Sequence, residues 1–352
     1  MKQQTLVSFL EENYPKEYAM DWDNVGLQTG DLKRDISGLL IALDLRLSVV
    51  ETAIESNCNM IITHHPLLFK SISQINAQTP IGQILDRLIK NDITVYSMHT
   101  NLDVARNGVS DVLASSYNLK NTKVLTSTFN SKLFKLVVYI PESDFENCRS
   151  KLLDLNIGHI GNYSHCSFST KGAGTFKPLD GANPYIGDLN VLEHVNESKF
   201  ETVIDYKNIS TVINQLKQIH PYEEIAYDLV PLANDGPAIG LGRYGEIDAV
   251  KLSDFPLEMP GIMKGDTNCN KMIKKVAVCG GNGSALIKRV IDLGIDLYIS
   301  SEIGYHDELL AADYGLSIYD IGHYNSEKAI LPYLQNLINC KYAEEIPKLI
   351  VV

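Results

Sequence analysis

Three stretches of the chain place imidazoles and carboxylates where metal chemistry needs them. Met60-Ile61-Ile62-Thr63 leads into His64 and His65, and Pro66 stops the run. Two imidazoles delivered to a rim suit a metal anchor, because histidine is the commonest metal ligand and proline cannot continue strand pairing. The same run also suits a histidine pair that holds nothing, so the question is whether carboxylates match it. His99 ends an apolar stretch with Asp103 four residues on, and His323 ends another with Glu327 four residues on. Both read His-x-x-x-carboxylate at a strand-to-helix junction. Imidazole suits zinc, iron, nickel or copper, while carboxylates bridge two cations and also accept manganese or magnesium. A carboxylate in the first turn of a helix is favoured by the dipole anyway, and His323 alone reads as a satisfied core histidine. Clustering at strand ends tips the balance toward a metal site.

The elements that must carry these residues alternate. Residues 39–43 form a continuous apolar run of strand length, as in a sheet covered on both faces. A helix is expected over 47–56, a strand up to His64, a helix over 81–90, a strand over 93–98 and a helix over 109–117. This is α/β grammar. In such sheets ligands gather outside the carboxyl ends of the strands, where His64, His65, His99 and Asp103 map.

The grammar then changes. A strand is expected over 133–140, a helix over 142–155, strands over 163–170 and 173–176 around a glycine turn, a strand over 201–206, a helix over 210–219 and a strand over 225–230. That pattern is the ferredoxin-like β-α-β-β-α-β. Residues 128–232 are therefore read as a domain inserted into a first one made of 1–127 and 233–352. Gly240-Leu241-Gly242-Arg243-Tyr244-Gly245 reads as a glycine-rich turn, a weak phosphate signal without a dinucleotide-binding unit around it. Gly280-Gly281-Asn282-Gly283-Ser284 opens an expected helix, and suits an anion or a tight turn equally. The first domain carries an internal echo. Ile93-Thr94-Val95-Tyr96 before His99 matches Leu316-Ser317-Ile318-Tyr319 before His323, and the strand to His64-His65 matches the one to Ser300-Ser301-Glu302. A pseudo-twofold arrangement would bring both sets of strand ends to one site.

Composition narrows the class. At 352 residues the chain exceeds one ordinary core, and 45% hydrophobic with 21% charged residues describes a globular protein. A net charge of −12 disfavours nucleic acid and anionic membranes and suits carboxylates set around cations. Six cysteines with no C-x-x-C pair point to reduced, mostly buried thiols and a cytoplasmic setting. Leu6, Phe9 and Leu10 share a helical face followed by Glu11-Glu12, unlike a signal peptide, and no apolar run is long enough to span a bilayer. The single tryptophan, Trp22, lies in an Asp-, Asn- and Gly-containing loop, and is expected to be a buried indole anchoring a turn.

Asp23-Asn24-Val25-Gly26-Leu27-Gln28, Thr63-His64-His65-Pro66, His99-Thr100-Asn101-Leu102-Asp103, Tyr305-His306-Asp307 and Gly322-His323-Tyr324-Asn325-Ser326-Glu327 resemble, in order and over nearly the whole chain, the Nif-three-like family, whose members are also described as GTP cyclohydrolase 1 type 2 homologs. The insert resembles the PII/CutA-like domain of the family's longer bacterial members, through Gly158-His159-Ile160-Gly161-Asn162-Tyr163-Ser164-His165-Cys166 and His220-Pro221-Tyr222-Glu223-Glu224. The resemblance implies a discontinuous α/β domain with pseudo-twofold halves, interrupted by a ferredoxin-like α+β insert. It implies two divalent ions per subunit, zinc first, with iron or manganese as alternatives. His64 and Asp103 would hold one ion, His65 and His323 the other, and Glu327 would bridge. His99 would orient a ligand or a bound water, His306 would face the cavity, and either would be the candidate general acid or base. Ser300-Ser301-Glu302 departs from the expected Thr-Gly-acid pattern. A homohexamer, as a trimer of dimers, is implied too. Two functions stay open: a metal-dependent hydrolase acting on a nucleotide, and a non-enzymatic metal-binding or regulatory assembly with a ligand-sensing insert. In the second, His159, His165, His220 and Glu223 are ligand candidates, with loop packing the plainer reading of each.

Overall fold

Short apolar runs, buried end to end, set the first sheet. Strands β2 (Leu39–Ala42), β3 (Met60–Thr63) and β4 (Thr94–Ser97) run parallel, β1 (Gly26–Thr29) pairs antiparallel with β4, and β13 (Leu349–Val351) lies parallel beside β2. Side chains alternate between faces. Leu39, Ile41, Met60, Ile62 and Tyr96 share one core cluster with residues of α1 (Gln3–Asn13) and α11 (Ile330–Tyr342). Leu40, Ile61 and Val95 belong to another with α2 (Leu47–Glu55) and α3 (Pro80–Lys90). Burial on both faces is why these strands carry no polar alternation. Each buried Leu, Ile or Met contributes about 1.5–3 kcal/mol. Thr79 caps α3 by accepting from the Gly82 N–H, with Pro80 in the first turn.

The structure, a computed structural model, describes residues 1–352, Asn130 by its backbone alone. They fall into two units, Met1–Phe129 with Ile239–Val352, and Asn130–Ala238.

The first unit repeats its own topology. After β4 come α4 (Thr100–Val104) and α5 (Val109–Ser116). In its second half β10 (Met272–Asn282), β11 (Leu297–Ser301) and β12 (Ser317–Asp320) run parallel, and β9 (Ile262–Gly265) pairs antiparallel with β12. Helices α8 (Ile287–Asp292) and α9 (Tyr305–Asp313) join those parallel strands, and α10 (His323–Glu327) follows β12 as α4 follows β4. Each half is therefore an antiparallel edge strand, then three parallel strands with two crossover helices, then a short helix carrying the His-x-x-x-carboxylate. The sequence echo is a structural repeat.

The second unit is traversed as β5 (Lys120–Pro141), α6 (Phe145–Leu153), β6 (Ser167–Phe176), β7 (Glu193–Asp205), α7 (Ile209–Ile219) and β8 (Tyr227–Lys251), with strands ordered β6-β7-β5-β8. Leu136, Val138, Ile140, Phe200 and Ile204 meet Leu152, Val212 and Leu216 of the two helices in one core. Strands β5 and β8 are far longer than the sequence suggests, and the limits of the unit fall within them. The expected glycine turn near residue 171 is not there. Strand β6 runs straight through Gly172 and Gly174, pairing with β7 from Ser167 to Phe176. A Cβ at Gly174 would lie 2.1 Å from Glu197 Oε2, so glycine there makes room for a neighbouring carboxylate.

Two other expectations change, and one left open is decided. Trp22 is 62% exposed rather than buried, and rests edge-on against Phe69 and His99. Gly240–Gly245 is strand, not turn: it is part of β8, and the carbonyls of Gly240 and Gly242 accept from the buried Arg243 guanidinium. The Gly280–Ser284 stretch, the end of β10 and the turn that follows it, makes the tight-turn choice. Its Gly281, Gly283 and Ser284 N–H groups are taken by Ser326 Oγ, the Ser301 carbonyl and Asn282 Oδ1, and a short 3-10 turn precedes α8. All six cysteines are free, with Cys58, Cys148 and Cys279 buried but Cys269 and Cys340 exposed. No helix is long and apolar enough to cross a membrane.

Candidate metal centre

Parallel register brings the strand ends level. Thr63 pairs with Ser97, so His64 and His65 emerge beside His99. Ser300 pairs with Asp320, so Glu302 emerges beside the Gly322 turn that opens α10. At that turn φ is +73°, a left-handed conformation that favours glycine. Glu302 itself adopts φ 57°, uncommon for a residue with a side chain and often found at functional sites.

The two halves of the first unit meet at these ends. Ligand atoms of His65, His323 and Glu327 lie within 4.8 Å of one another, as do those of His64, Asp103 and Glu327, and those of His64, His65 and His99. Each set could hold a metal ion, and Glu327 belongs to two of them. His323 Nε2 lies 3.1 Å from Glu327 Oε1, His65 Nε2 3.3 Å from Glu327 Oε2, and His64 Nε2 3.5 Å from Asp103 Oδ1.

Each imidazole is held from behind through Nδ1. His64 Nδ1–H donates to the Met98 carbonyl at 2.8 Å, His65 to Asp44 Oδ1 at 3.0 Å, His323 to Glu302 Oε1 at 2.9 Å, and His99 to Asp23 Oδ1 at 2.8 Å. A carbonyl or carboxylate only accepts, so the proton sits on Nδ1 and the Nε2 lone pair of each neutral ring is free. His65 Nε2 and His323 Nε2 then face each other at 3.3 Å, lone pair to lone pair. Around them stand two carboxylates, also acceptors. His64 Nε2, Asp103 Oδ1 and Glu327 Oε2 are buried with no hydrogen-bond partner at all. A buried set of acceptors without a donor is costly unless a cation enters it. Nitrogen and oxygen donors in this mixture fit zinc, iron or manganese, so the donor set fits a metal.

The electrostatics agree. Burial pulls the His64 imidazole down, yet the Asp103 and Glu327 carboxylates outweigh it and hold it up at about 9. Glu327 likewise lifts His323 to about 9. Burial raises Asp103. It would raise Glu327 too, but His323, His64 and His65 hold that carboxyl well below the usual range. Positive charge is wanted here, as protons or as metal.

Asp23 is a further anchor. Besides His99 it accepts from the Thr100 N–H at 3.0 Å and from Thr100 Oγ1 at 2.5 Å. These partners outweigh its burial and lower it to about 2, so it is a fixed anion. His306, by contrast, is exposed on the first turn of α9 beside the Tyr305 ring, and belongs to none of the three ligand sets. Sequence reasoning passed over Asp44 as an orienting group, and gave Asp23 and Glu302 no such task. Asp44 could have been suspected from its place just beyond β2, on the same rim as His65.

A family model described as Duf34/NIF3 (NGG1p interacting factor 3) matches residues 1–351. A Bacillus subtilis protein named GTP cyclohydrolase 1 type 2 homolog is 41% identical over 329 residues, covering 91% of this chain and 88% of its own. A homolog of the same name from Halalkalibacterium halodurans is 39% identical over 331 residues, covering 92% and 89%. Among solved structures, a Bacillus cereus protein related to NIF3 superposes with a TM-score of 0.88 at 37% identity, covering 100% of this chain and 96% of its own.

Proposed function

The chain belongs to the Duf34/NIF3 family, and we propose that it is a dinuclear-metal hydrolase acting on a nucleotide. The observation that carries this reading is the all-acceptor cluster around Glu327, which accommodates two cations more naturally than one. His64 and Asp103 would hold the first, His65 and His323 the second, and Glu327 would touch both. Zinc is the first choice, with iron or manganese also suited to these donors.

Two close cations supply an acidified water and a clamp on a substrate oxygen. The chain's own residues do the rest. Asp23 fixes the His99 tautomer, so His99 can take or return a proton at Nε2 beside the cluster. Trp22 and Phe69, 62% and 48% exposed, stand against the His99 ring at centroid distances of 6.2 Å each. Exposed aromatic faces beside a metal pair suit a planar base, and the relatives' name points to a guanine nucleotide, opened hydrolytically or cleaved at a phosphoester. His306, exposed on the first turn of α9, is a second candidate proton carrier.

A second reading rests on burial. His64 and Glu327 are only 2% exposed, which suits cation retention as well as turnover. The protein would then be a non-enzymatic metal-binding assembly with the insert as a PII-like, ligand-sensing domain. In either reading we take the assembly to be a homohexamer, a trimer of dimers, in the cytoplasm.

One experiment separates the two. The full chain, loaded in turn with zinc, iron or manganese, is offered GTP and a nucleotide panel beside His65→Ala and Glu327→Gln variants. Metal-dependent turnover that the variants lose supports the hydrolase. Full metal occupancy without turnover of any nucleotide favours the second reading. Native mass spectrometry of the same samples tests the hexamer, which a monomer would contradict.

A further inference from the structure

Within the Asn130–Ala238 unit lies a cavity of about 460 Å³ that owes nothing to the metal ligands. That size is in the range of small-molecule sites. Four aromatic residues line it: Tyr139, Phe176, Tyr185 and Tyr222. Phe176 and Tyr222 meet at 5.8 Å and 65°, Tyr185 and Tyr222 at 6.3 Å and 56°. At these angles the rings meet edge to face or tilted rather than stacked.

The charged residues of the lining are Glu197, Glu223, Glu224 and Lys177, three acids to one base. Glu197 is the placed one. Gly174 leaves the space its carboxylate fills, and the Tyr222 hydroxyl donates to its Oε1 at 3.2 Å. Burial and the neighbouring Glu197 raise the Tyr222 phenol, so it stays a donor. No hydrogen bond from the described residues reaches Glu197 Oε2, and Lys177 forms no ion pair with any of the three acids.

The walls are fastened. Glu223 Oε1 accepts the Asn183 N–H at 2.7 Å, tying the loop before β7 to the one before β8. His220 Nδ1 accepts the Tyr222 N–H at 3.1 Å while its Nε2–H donates to the Tyr139 carbonyl at 3.0 Å. Tyr222 is thus held at both backbone and hydroxyl.

We propose that this cavity is a binding site for a small organic cation, an amine or quaternary ammonium group carried on an apolar body. Aromatic faces attract cations through their quadrupole, and a preplaced carboxylate adds a counter-charge. A phosphorylated ligand is disfavoured, because one lysine and no arginine face three carboxylates. The inference rests on the insert being a ligand-binding unit, but not on metal loading or turnover in the other unit.

The test uses the full chain and two probes of the same shape: choline, and its uncharged carbon isostere 3,3-dimethylbutan-1-ol. Binding is read by calorimetry and by ligand-observed NMR, with ATP as a third probe. Choline is expected to bind in preference to the isostere. Glu197→Gln, which keeps the shape against Gly174, should weaken choline by about tenfold and leave the isostere unchanged. Phe176→Leu should weaken choline similarly with Glu197 intact. Equal binding of choline and its isostere, tighter binding of ATP, or no binding of choline to the folded chain would each overturn the proposal. Metal content measured on the same samples keeps this outcome distinct from failure of the hydrolase reading.

Discussion

Gly281 faces Glu327 so closely that a Cβ built on it would lie 2.7 Å from Oε1, and 3.7 Å from His323 Nε2. Its φ is +65°, which a side chain also disfavours. The glycine pair at the end of β10 thus serves the cluster by leaving space for the carboxylate shared by two ligand sets. Gly281→Ala is expected to cost about 1–2 kcal/mol in backbone strain alone, and to push Glu327 out of place. Metal content by elemental analysis should fall to half or less of wild type, with a lower urea midpoint. Wild-type values of both would remove Gly281 from the site.

Asp44 acts on the same cluster from outside. Its carboxylate holds His65 Nδ1 at 3.0 Å, yet it is itself partly exposed. Asp44→Ala should therefore weaken metal binding by about 10–100-fold, the usual effect of losing a group that orients a ligand. In chelator the variant should unfold within about 0.5 kcal/mol of wild type. Competition with a chromophoric chelator reads the first quantity and urea titration the second. A large stability loss with unaltered affinity would make Asp44 a packing residue only.

What was legible in the sequence is what the backbone repeats. Runs such as Met60–Thr63 and Thr94–Ser97 declare two-face burial by having no charged residue and no polar alternation, and the spacing from His99 to Asp103 recurs from His323 to Glu327. Edge strands are different. Gly26–Thr29 and Ile262–Gly265 are short and partly exposed, so neither alternation nor an apolar run marks them. Orienting groups are harder still. Asp23 and His99 are 76 positions apart, and their 2.8 Å contact exists only once the chain is folded. Trp22 misled because a lone tryptophan is usually core, whereas here its edge rests on Phe69 and His99.

The Gly240–Gly245 stretch concealed a structural device of another kind. Arg243, 3% exposed, donates to Asp111 from Nε and Nη2 at 2.5 and 3.0 Å. It also donates to the carbonyls of Gly240, Gly242 and Ala105 at 2.8–2.9 Å. The pair fastens β8 to α5 and to the end of the helix that carries Asp103. Arg243→Met would strand the Asp111 carboxylate and three carbonyls, at a cost of about 3–5 kcal/mol. Adding Asp111→Leu should recover part of that loss, since the unpaired charge goes too. Urea denaturation of the two variants checks this. A single variant within about 0.5 kcal/mol of wild type would show that the pair adds little.

His220 gives the insert a pH dependence of definite sign. Burial lowers its pKa below the usual 6.5, against smaller upward pushes from the Tyr139 carbonyl and Asp144. Geometry agrees, because Nδ1 must stay unprotonated to accept the Tyr222 N–H. The unfolded chain therefore takes up this proton before the folded one does. The stabilisation is complete above the unfolded value of 6.5 and is lost as pH falls through the lower folded value. Hydrogen-exchange protection of β7 and β8 should accordingly weaken as pH falls from the unfolded value of 6.5 through the lower folded one. His64 and His323 are raised instead and act in the opposite sense, in the other unit. The comparison is thus made on insert peptides, wild type against His220→Gln. Glutamine can both accept and donate but does not titrate, so the loss of protection over that window should flatten in the variant. An equal loss in both proteins would assign the pH dependence to another group.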